Sequence, residues 1–381
     1  MKVATVIGTR PEIIRLSRIM ALLDKHVDHV VIHTGQNYDH ELNQIFFDDL
    51  GIRKPDHVLT SFMHRPGVSA TTAETIGNMI GRLDSLLARL QPDALLILGD
   101  TNSCFAAAYV AKRRKIPLFH MEAGNRSFDE RVPEEINRRA IDHISDINLP
   151  YSAIARDCLV REGIPTDRVI KTGSPMFEVL NHYEEKINSS DILTRLKLTR
   201  ESYFVVSCHR EENVDSPERF EAFIVLLNGL AERYHQRIVV STHPRTQKRI
   251  DVRKLILAPE VEFLKPFGFC DYVQLQKHAR ATLSDSGTIT EESSIMHFPA
   301  LNLREAHERP EGMEEGSVMM VGFNLDRVFT GLSILESQGR GLDCTLTTPS
   351  DYRTPNVSDK VLRIILSYTD YVNRVVWRKY E

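Results

Sequence analysis

Met1-Lys2-Val3-Ala4-Thr5-Val6-Ile7-Gly8-Thr9-Arg10-Pro11-Glu12 opens the chain and decides how the rest is read. The run 3–7 is short and apolar, which suits a buried strand. Gly8 then turns the chain, and Pro11 stands in the first turn of a helix, where its lack of an N–H costs nothing. The same succession recurs. Short apolar runs at 30–33, 94–98, 117–120, 147–149 and 169–171 alternate with amphipathic stretches. Ile76, Met79, Ile80, Leu83, Leu87 and Leu90 recur at helical spacing and predict one long helix packed on the sheet. This is βαβ rhythm.

After a break the rhythm restarts, with strands expected at 203–207, 238–242, 261–264, 281–283 and 300–303 and helices at 217–234, 272–279, 289–296 and 325–337. The expectation is an α/β protein of two Rossmann-like, doubly wound parallel-sheet domains facing each other across a cleft. Such sheets take ligands outside the carboxyl ends of their strands. Thr172-Gly173-Ser174-Pro175 has turn chemistry at a suitable distance. It divides the chain into 1–172 and 173–362, and the helical closing segment, 363–381, is expected to pack back on the first domain.

Composition bounds the function. A length of 381 residues suits two domains, and no run of 18 apolar residues is present to span a bilayer. The first residues lack the long apolar core of a signal peptide, so a cytoplasmic location without membrane insertion is expected. A net charge of −4 supplies no basic field for nucleic acid, and five scattered cysteines without a CxxC pair point to neither a disulfide framework nor a zinc knuckle.

The residues that carry chemistry stand where strands end. Gly8-Thr9-Arg10-Pro11-Glu12 leaves backbone N–H groups beside an arginine, suited to an anion if it is more than an ordinary βα turn. Asp100, after the apolar 95–98 run, is either a helix cap or a functional carboxylate. Glu122, in His120-Met121-Glu122-Ala123-Gly124-Asn125-Arg126, ends another strand, and Glu134, in Pro133-Glu134-Glu135, opens a helix containing Asn137, Arg138 and Arg139. A single such acid is more often a helix-dipole residue; three on one rim suit acid/base chemistry. His120 and Glu122 do not form HExxH and no third ligand is apparent, so no metal is expected.

In the second half, Cys208-His209-Arg210-Glu211-Glu212-Asn213 and Thr242-His243-Pro244-Arg245 each end a strand. Their histidines are packed polar caps or, with the adjacent arginines, diphosphate or proton-transfer groups. Ser284-Asp285-Ser286-Gly287-Thr288 enters a helix and offers backbone and hydroxyl donors to phosphate. Glu292, one turn on, can accept from both hydroxyls of a ribose. Tyr272 is either a wall for a base or a core residue. Arg309-Pro310-Glu311 completes the set.

Taken in order, GTRPE, GDTNS, HMEAG with NR, PEEINR, CHREEN, THP, SDSG with EE, and ERPE resemble the non-hydrolysing UDP-N-acetylglucosamine 2-epimerase family over nearly the whole chain. The resemblance implies a fold like that of GT-B glycosyltransferases, a homodimer, no cofactor and a UDP-amino-sugar substrate. It implies a catalytic group of Asp100, Glu122, Glu134 and His209. The implied substrate and UDP contacts are Arg10, Arg15, His209, Arg210, His243, Tyr272, Ser286, Gly287, Thr288, Glu292 and Arg309. The implied reaction inverts C2 of the sugar by eliminating UDP and adding it back.

The chain departs from the family pattern at three places: Arg15 replaces a lysine, Thr288 a glycine, and 125–131 reads Asn-Arg-Ser-Phe-Asp-Glu-Arg. HMEAGNRSFDERVPEEINRR with KTGSPMFEVL is similar to the branch that makes UDP-N-acetyl-L-fucosamine from UDP-2-acetamido-2,6-dideoxy-L-talose for capsule and O-antigen synthesis. The alternatives are UDP-N-acetylglucosamine 2-epimerisation, a hydrolysing epimerase, a GT-B glycosyltransferase, or a non-enzymatic nucleotide-sugar binder. The last two have no need of three acids in the first domain.

Overall fold

A computed structural model describes residues 1–36, 40–59, 71–242, 246–247, 250 and 256–380, without the side chains of 40–44 and 211–212. The chain forms two compact units. One comprises Met1–Asn181 with Asp351–Glu381, and the other His182–Ser350.

The first unit holds a six-stranded parallel sheet: β1 (Lys2–Ile7), β2 (Asp28–His33), β3 (His57–Val58), β4 (Ala94–Leu98), β5 (Leu118–Met121) and β6 (Ile147–Leu149). Their order is β3-β2-β1-β4-β5-β6. The sheet grows one way from β1 through β2 and the other way through β4, so its winding reverses between β1 and β4. All five residues of β4 are buried, as in a strand covered by helices on both faces. One covering helix, Thr72–Leu90, is started by a reciprocal Thr71–Glu74 capping box and turns Met79, Leu83, Leu86 and Leu87 inward. They meet Ala4, Val6, Leu95 and Ile97 of the sheet and Ala106, Ala107, Ala108 and Ala111 of helix Asn102–Arg113. Each buried leucine contributes roughly 1.5–3 kcal/mol, and the alanines let the helices approach closely.

The run 169–171 is not a strand. Val169 makes a single parallel bridge to Asn148, because β6 is only three residues long and the chain turns away at Gly173, whose φ is +87°. The unit continues past this turn. Helix Met176–His182 buries Met176, Val179 and Leu180, and Glu178 accepts from the backbone N–H of Ser358 at 2.9 Å and from its hydroxyl. That serine lies in the first turn of the closing helix, Val357–Val375, which packs on helix Arg10–His26.

The second unit repeats the plan with β7 (Tyr203–Ser207), β8 (Arg237–Ser241), β9 (Val261–Leu264), β10 (Ala281–Ser284), β11 (Ala300–Asn302) and β12 (Met319–Met320), all parallel, in the order β12-β11-β10-β7-β8-β9. Its winding reverses between β7 and β10. On one face Phe204, Val206, Leu283 and Leu301 pack with Phe223, Leu227, Val328 and Leu332 of helices Pro217–Tyr234 and Leu325–Ser337. On the other, Tyr203, Val205 and Val239 pack with Leu275 of helix Phe269–His278. The two-residue strands β3 and β12 extend the predicted sheets at their edges. Among the described residues no helix is long and apolar enough to cross a membrane.

Candidate active site

Ligands of doubly wound sheets bind beyond the strands' carboxyl ends, where the winding reverses. In the first unit those ends carry acids held by arginines. β4 and β5 run side by side to Leu98 and Met121, and the N–H of Gly99 donates to the Met121 carbonyl at 3.0 Å. Asp100 and Glu122 therefore leave the same edge of the sheet from neighbouring strands. Asp100 Oδ2 accepts from Arg138 Nε at 3.0 Å and from Nη2. The Asp100 carbonyl accepts from Asn137 Nδ2, also at 3.0 Å. Both donors lie on helix Pro133–Ile144, so its opening turn, which carries Glu134, is tied to the end of β4.

Glu122 adopts a left-handed φ of +66°, unfavourable for a residue with a Cβ. Its carboxylate accepts from Nη1 of buried Arg15, on helix Arg10–His26. The Arg15 guanidinium lies 5.7 Å from the ring centroid of buried Tyr151. Strain of this kind gathers at functional positions, where surrounding contacts hold it.

One sequence expectation changes here. The Gly8 and Thr9 N–H groups are not open to a ligand, since both donate to Glu12 Oε2, the latter at 2.8 Å. Glu12 is the third residue of the helix and folds back as a capping box. Burial pushes its carboxyl up, partly offset by a hydrogen bond from Thr101 and those from Gly8 and Thr9. Arg10 lies with its guanidinium 5.5 Å from the Phe46 ring centroid. The segment after Glu122 is also partly internal. Arg126 is buried on Asp142 at 2.6 Å and on Glu162 at 2.9 Å. The amide of Asn125 is buried without a protein hydrogen bond among the described residues. His120 is likewise internal, its Nε2 2.9 Å from the Gly99 carbonyl, which can only accept.

In the second unit the reversal lies between β7 and β10, and Asp285 organises it. This fully buried carboxylate accepts from the N–H groups of His209 and Arg210, each at 3.0 Å, and from Asn213 Nδ2 at 3.0 Å. The His209 ring stands 3.2 Å away through Nδ1. Burial by itself would raise the Asp285 pKa, but the facing His209 and these donors outweigh it and hold the carboxyl well below its usual range. His209, 31% exposed, is thereby fixed at the strand end.

Arg210 spans the turn, donating from Nε to the Asp285 carbonyl and from Nη2 to Glu308 at 3.0 Å. Gly287 passes so close that a Cβ there would lie 2.5 Å from Glu308 Oε1. Ser286 Oγ accepts from Thr288 N at 3.3 Å, and Gly287 caps helix Thr288–Met296. Glu292, one turn on and buried, accepts from Gln276 Nε2 at 3.0 Å. Buried Arg309 has Nη2 3.9 Å from Glu291. Tyr272 packs against the core cluster of Tyr203 and Val205. His243 lies outside the described residues.

The sequence reading missed Asp285, Glu308, Arg138 and Glu135 as the groups that hold the others. The available signal was their adjacency to the named motifs: Asp285 stands between Ser284 and Ser286 at a strand end, and Arg138 one turn after Glu134. Chemically, the first unit offers carboxylates for proton transfer. The second offers a helix start, hydroxyls and cations for a phosphorylated ligand.

Comparison with known proteins supplies the family. The UDP-N-acetylglucosamine 2-epimerase family matches residues 21–366. The structure of UDP-N-acetylglucosamine 2-epimerase from Rickettsia bellii is 49% identical, with a TM-score of 0.90 over 99% of each chain. The Methanocaldococcus jannaschii UDP-GlcNAc 2-epimerase, solved with UDP-GlcNAc and UDP, is 32% identical, with a TM-score of 0.88 over 96% of this chain and 100% of that one. The UDP-2,3-diacetamido-2,3-dideoxy-D-glucuronate 2-epimerase of Pseudomonas aeruginosa is 31% identical, covering 86% of this chain and 89% of that protein. Relatives at similar distance thus act on different sugars but share inversion at C2 of a UDP-sugar. A match that runs through both units establishes that this chain belongs to the UDP-N-acetylglucosamine 2-epimerase family, isomerase-type enzymes that act on UDP-sugars.

Proposed function

We propose that the enzyme converts UDP-2-acetamido-2,6-dideoxy-L-talose to UDP-N-acetyl-L-fucosamine, as a cytoplasmic homodimer serving capsule and O-antigen synthesis. The observation that carries the substrate choice is the set of departures beside the acids: Arg15 bound to Glu122, and Asn125 buried three residues after it. In the reaction, a carboxylate removes the C2 proton while the C1–O bond to UDP breaks, leaving a C1=C2 double bond in a 2-acetamidoglycal. A UDP oxygen then adds back to C1 and a second group protonates C2 from the opposite face. Asp100, Glu122 and Glu134, with His209, supply the proton transfers. The second unit takes UDP, with Ser286, Gly287 and Thr288 at the phosphates beside Arg210 and Arg309, Glu292 at the ribose and Tyr272 near uracil.

The test is proton NMR of candidate UDP-sugars with the enzyme. Turnover of the L-talo/L-fuco pair well above that of UDP-N-acetylglucosamine is expected. The reverse preference overturns the branch and leaves the epimerase class intact. The second reading, epimerisation of UDP-N-acetylglucosamine, is favoured by the name of the 49% identical Rickettsia bellii relative, and the same assay decides it.

Nucleotide binding has its own test. Glu292→Ala is expected to weaken UDP binding by about 1–3 kcal/mol, the range for losing charge-assisted hydrogen bonds. Calorimetric titration with UDP measures this, and an unchanged affinity removes Glu292 from the ribose.

A further inference from the structure

Glu135, the neighbour of Glu134, is only 1% exposed, and its carboxylate ties two parts of the first unit together. Oε2 accepts from Ser127 N and Oγ, each at 3.0 Å, and from Arg138 Nη1 at 2.6 Å. Oε1 accepts from Phe128 N at 3.4 Å. Burial opposes the charge, yet the Ser127 N–H and the Arg138 cation hold the carboxyl below its ordinary pKa. Arg138 is also buried and divides its guanidinium, giving Nη1 to Glu135 and Nε with Nη2 to Asp100. A guanidinium is a rigid planar fork, so fixing one edge fixes the direction of the other. The same carboxylate fixes the turn at Ser127 and Phe128, the latter at a left-handed φ of +54°. That turn belongs to the segment where this chain departs from the family pattern.

We propose that Glu135 is a positioning residue for the reaction: through Arg138 it aims the carboxylate of Asp100, and through Ser127 it locks the divergent 125–131 segment to the same arginine. The proposal rests on the assignment of Asp100 to proton transfer. Proton transfer is sensitive to placement, and an error of about 1 Å can cost on the order of a hundredfold in rate. Glu135→Gln keeps the volume but removes the charge that holds Arg138, and either way its amide turns, the NH2 group meets donors: Phe128 N and Arg139 Nε at the Oε1 position, or Ser127 and Arg138 at the Oε2 position.

The test is a double-mutant cycle read as kcat and KM. Glu135→Gln alone is expected to lower kcat by roughly tenfold or more with KM within about twofold, since the loss falls on the transition state. In an Asp100→Asn background the same change is expected to add less than about twofold, because the group being aimed can no longer transfer a proton. An equal loss in both backgrounds, or a normal kcat for Glu135→Gln, overturns the proposal and leaves Asp100 in place. Near-normal turnover of Asp100→Asn alone overturns the Asp100 assignment and the proposal with it. Should Glu135→Gln fail to fold, Arg138→Lys serves in its place. Lysine keeps the charge but not the fork, and the same kcat loss and non-additivity are expected; additive losses overturn the proposal.

Discussion

Replacing Asp100, Glu122 or Glu134 by its amide is expected to lower turnover by roughly a hundredfold or more while leaving UDP affinity within a few-fold. The amide keeps the shape of each side chain and one accepting oxygen but removes the capacity to take or give a proton. The surroundings of the first two are arranged so that this is the main loss. Asp100 can keep an oxygen toward Arg138, and Glu122 toward Arg15. The proposed UDP contacts belong to His182–Ser350, a separate compact unit, so binding is expected to survive. More than one proton-transfer group is required by the proposed reaction, because the proton leaves C2 from one face and returns on the other. The C2 proton is poorly acidic, so a positioned base contributes to removing it and a second group to restoring it. Steady-state epimerisation, with UDP calorimetry on the same samples, measures both quantities. Near-normal turnover in all three variants contradicts the assignment.

The second large effect is on stability. Asp285→Ala is expected to cost about 3 kcal/mol or more, since it leaves the N–H groups of His209 and Arg210 and the amide of Asn213 without their acceptor, and each buried orphan costs roughly 1–3 kcal/mol. UDP affinity is expected to fall as well, because the turn carrying His209 and Arg210 is released. The pH dependence follows from the direction of the shift. The folded-state pKa of Asp285 lies below its unfolded value, so its contribution is present in full above the unfolded carboxylate pKa of about 3.9 and is lost as the pH falls from there toward the depressed folded value. Asp285→Asn is expected to be less stable than the parent at neutral pH and to approach it on acidification below about pH 4. Urea melts across that range measure the convergence; a constant difference at all pH values contradicts the role given to the ionised carboxylate.

The long helices and central strands were legible in the sequence because single-element rules decide them. Helix Pro217–Tyr234 begins at a serine cap with proline behind it, and β4 is five apolar residues in a row. Where the sequence misled, a neighbour decided. The 169–171 run has strand composition, but only short β6 to pair with, and ends as a single bridge. Gly8-Thr9-Arg10 has the look of an anion cradle, yet Glu12 folds back onto its N–H groups. The acids of the first unit stood out because they follow apolar runs. Their pairing with arginines did not, because Arg15 reaches Glu122 and Arg138 reaches Asp100 across large sequence separations. In the same way Asp285 passed for one letter of a phosphate turn. Its binding of His209, Arg210 and Asn213 depends on β7 and β10 being neighbours, a fact of topology.

The most direct test of the chemistry is epimerisation in deuterated water followed by proton NMR at C2. Elimination and re-addition replace the C2 proton with one from a group that exchanges with solvent, so deuterium at C2 of the product is predicted. A labelled bridging oxygen should also scramble into non-bridging positions of UDP when the released diphosphate rotates before re-addition. Epimerised product that still carries protium at C2 would contradict the account.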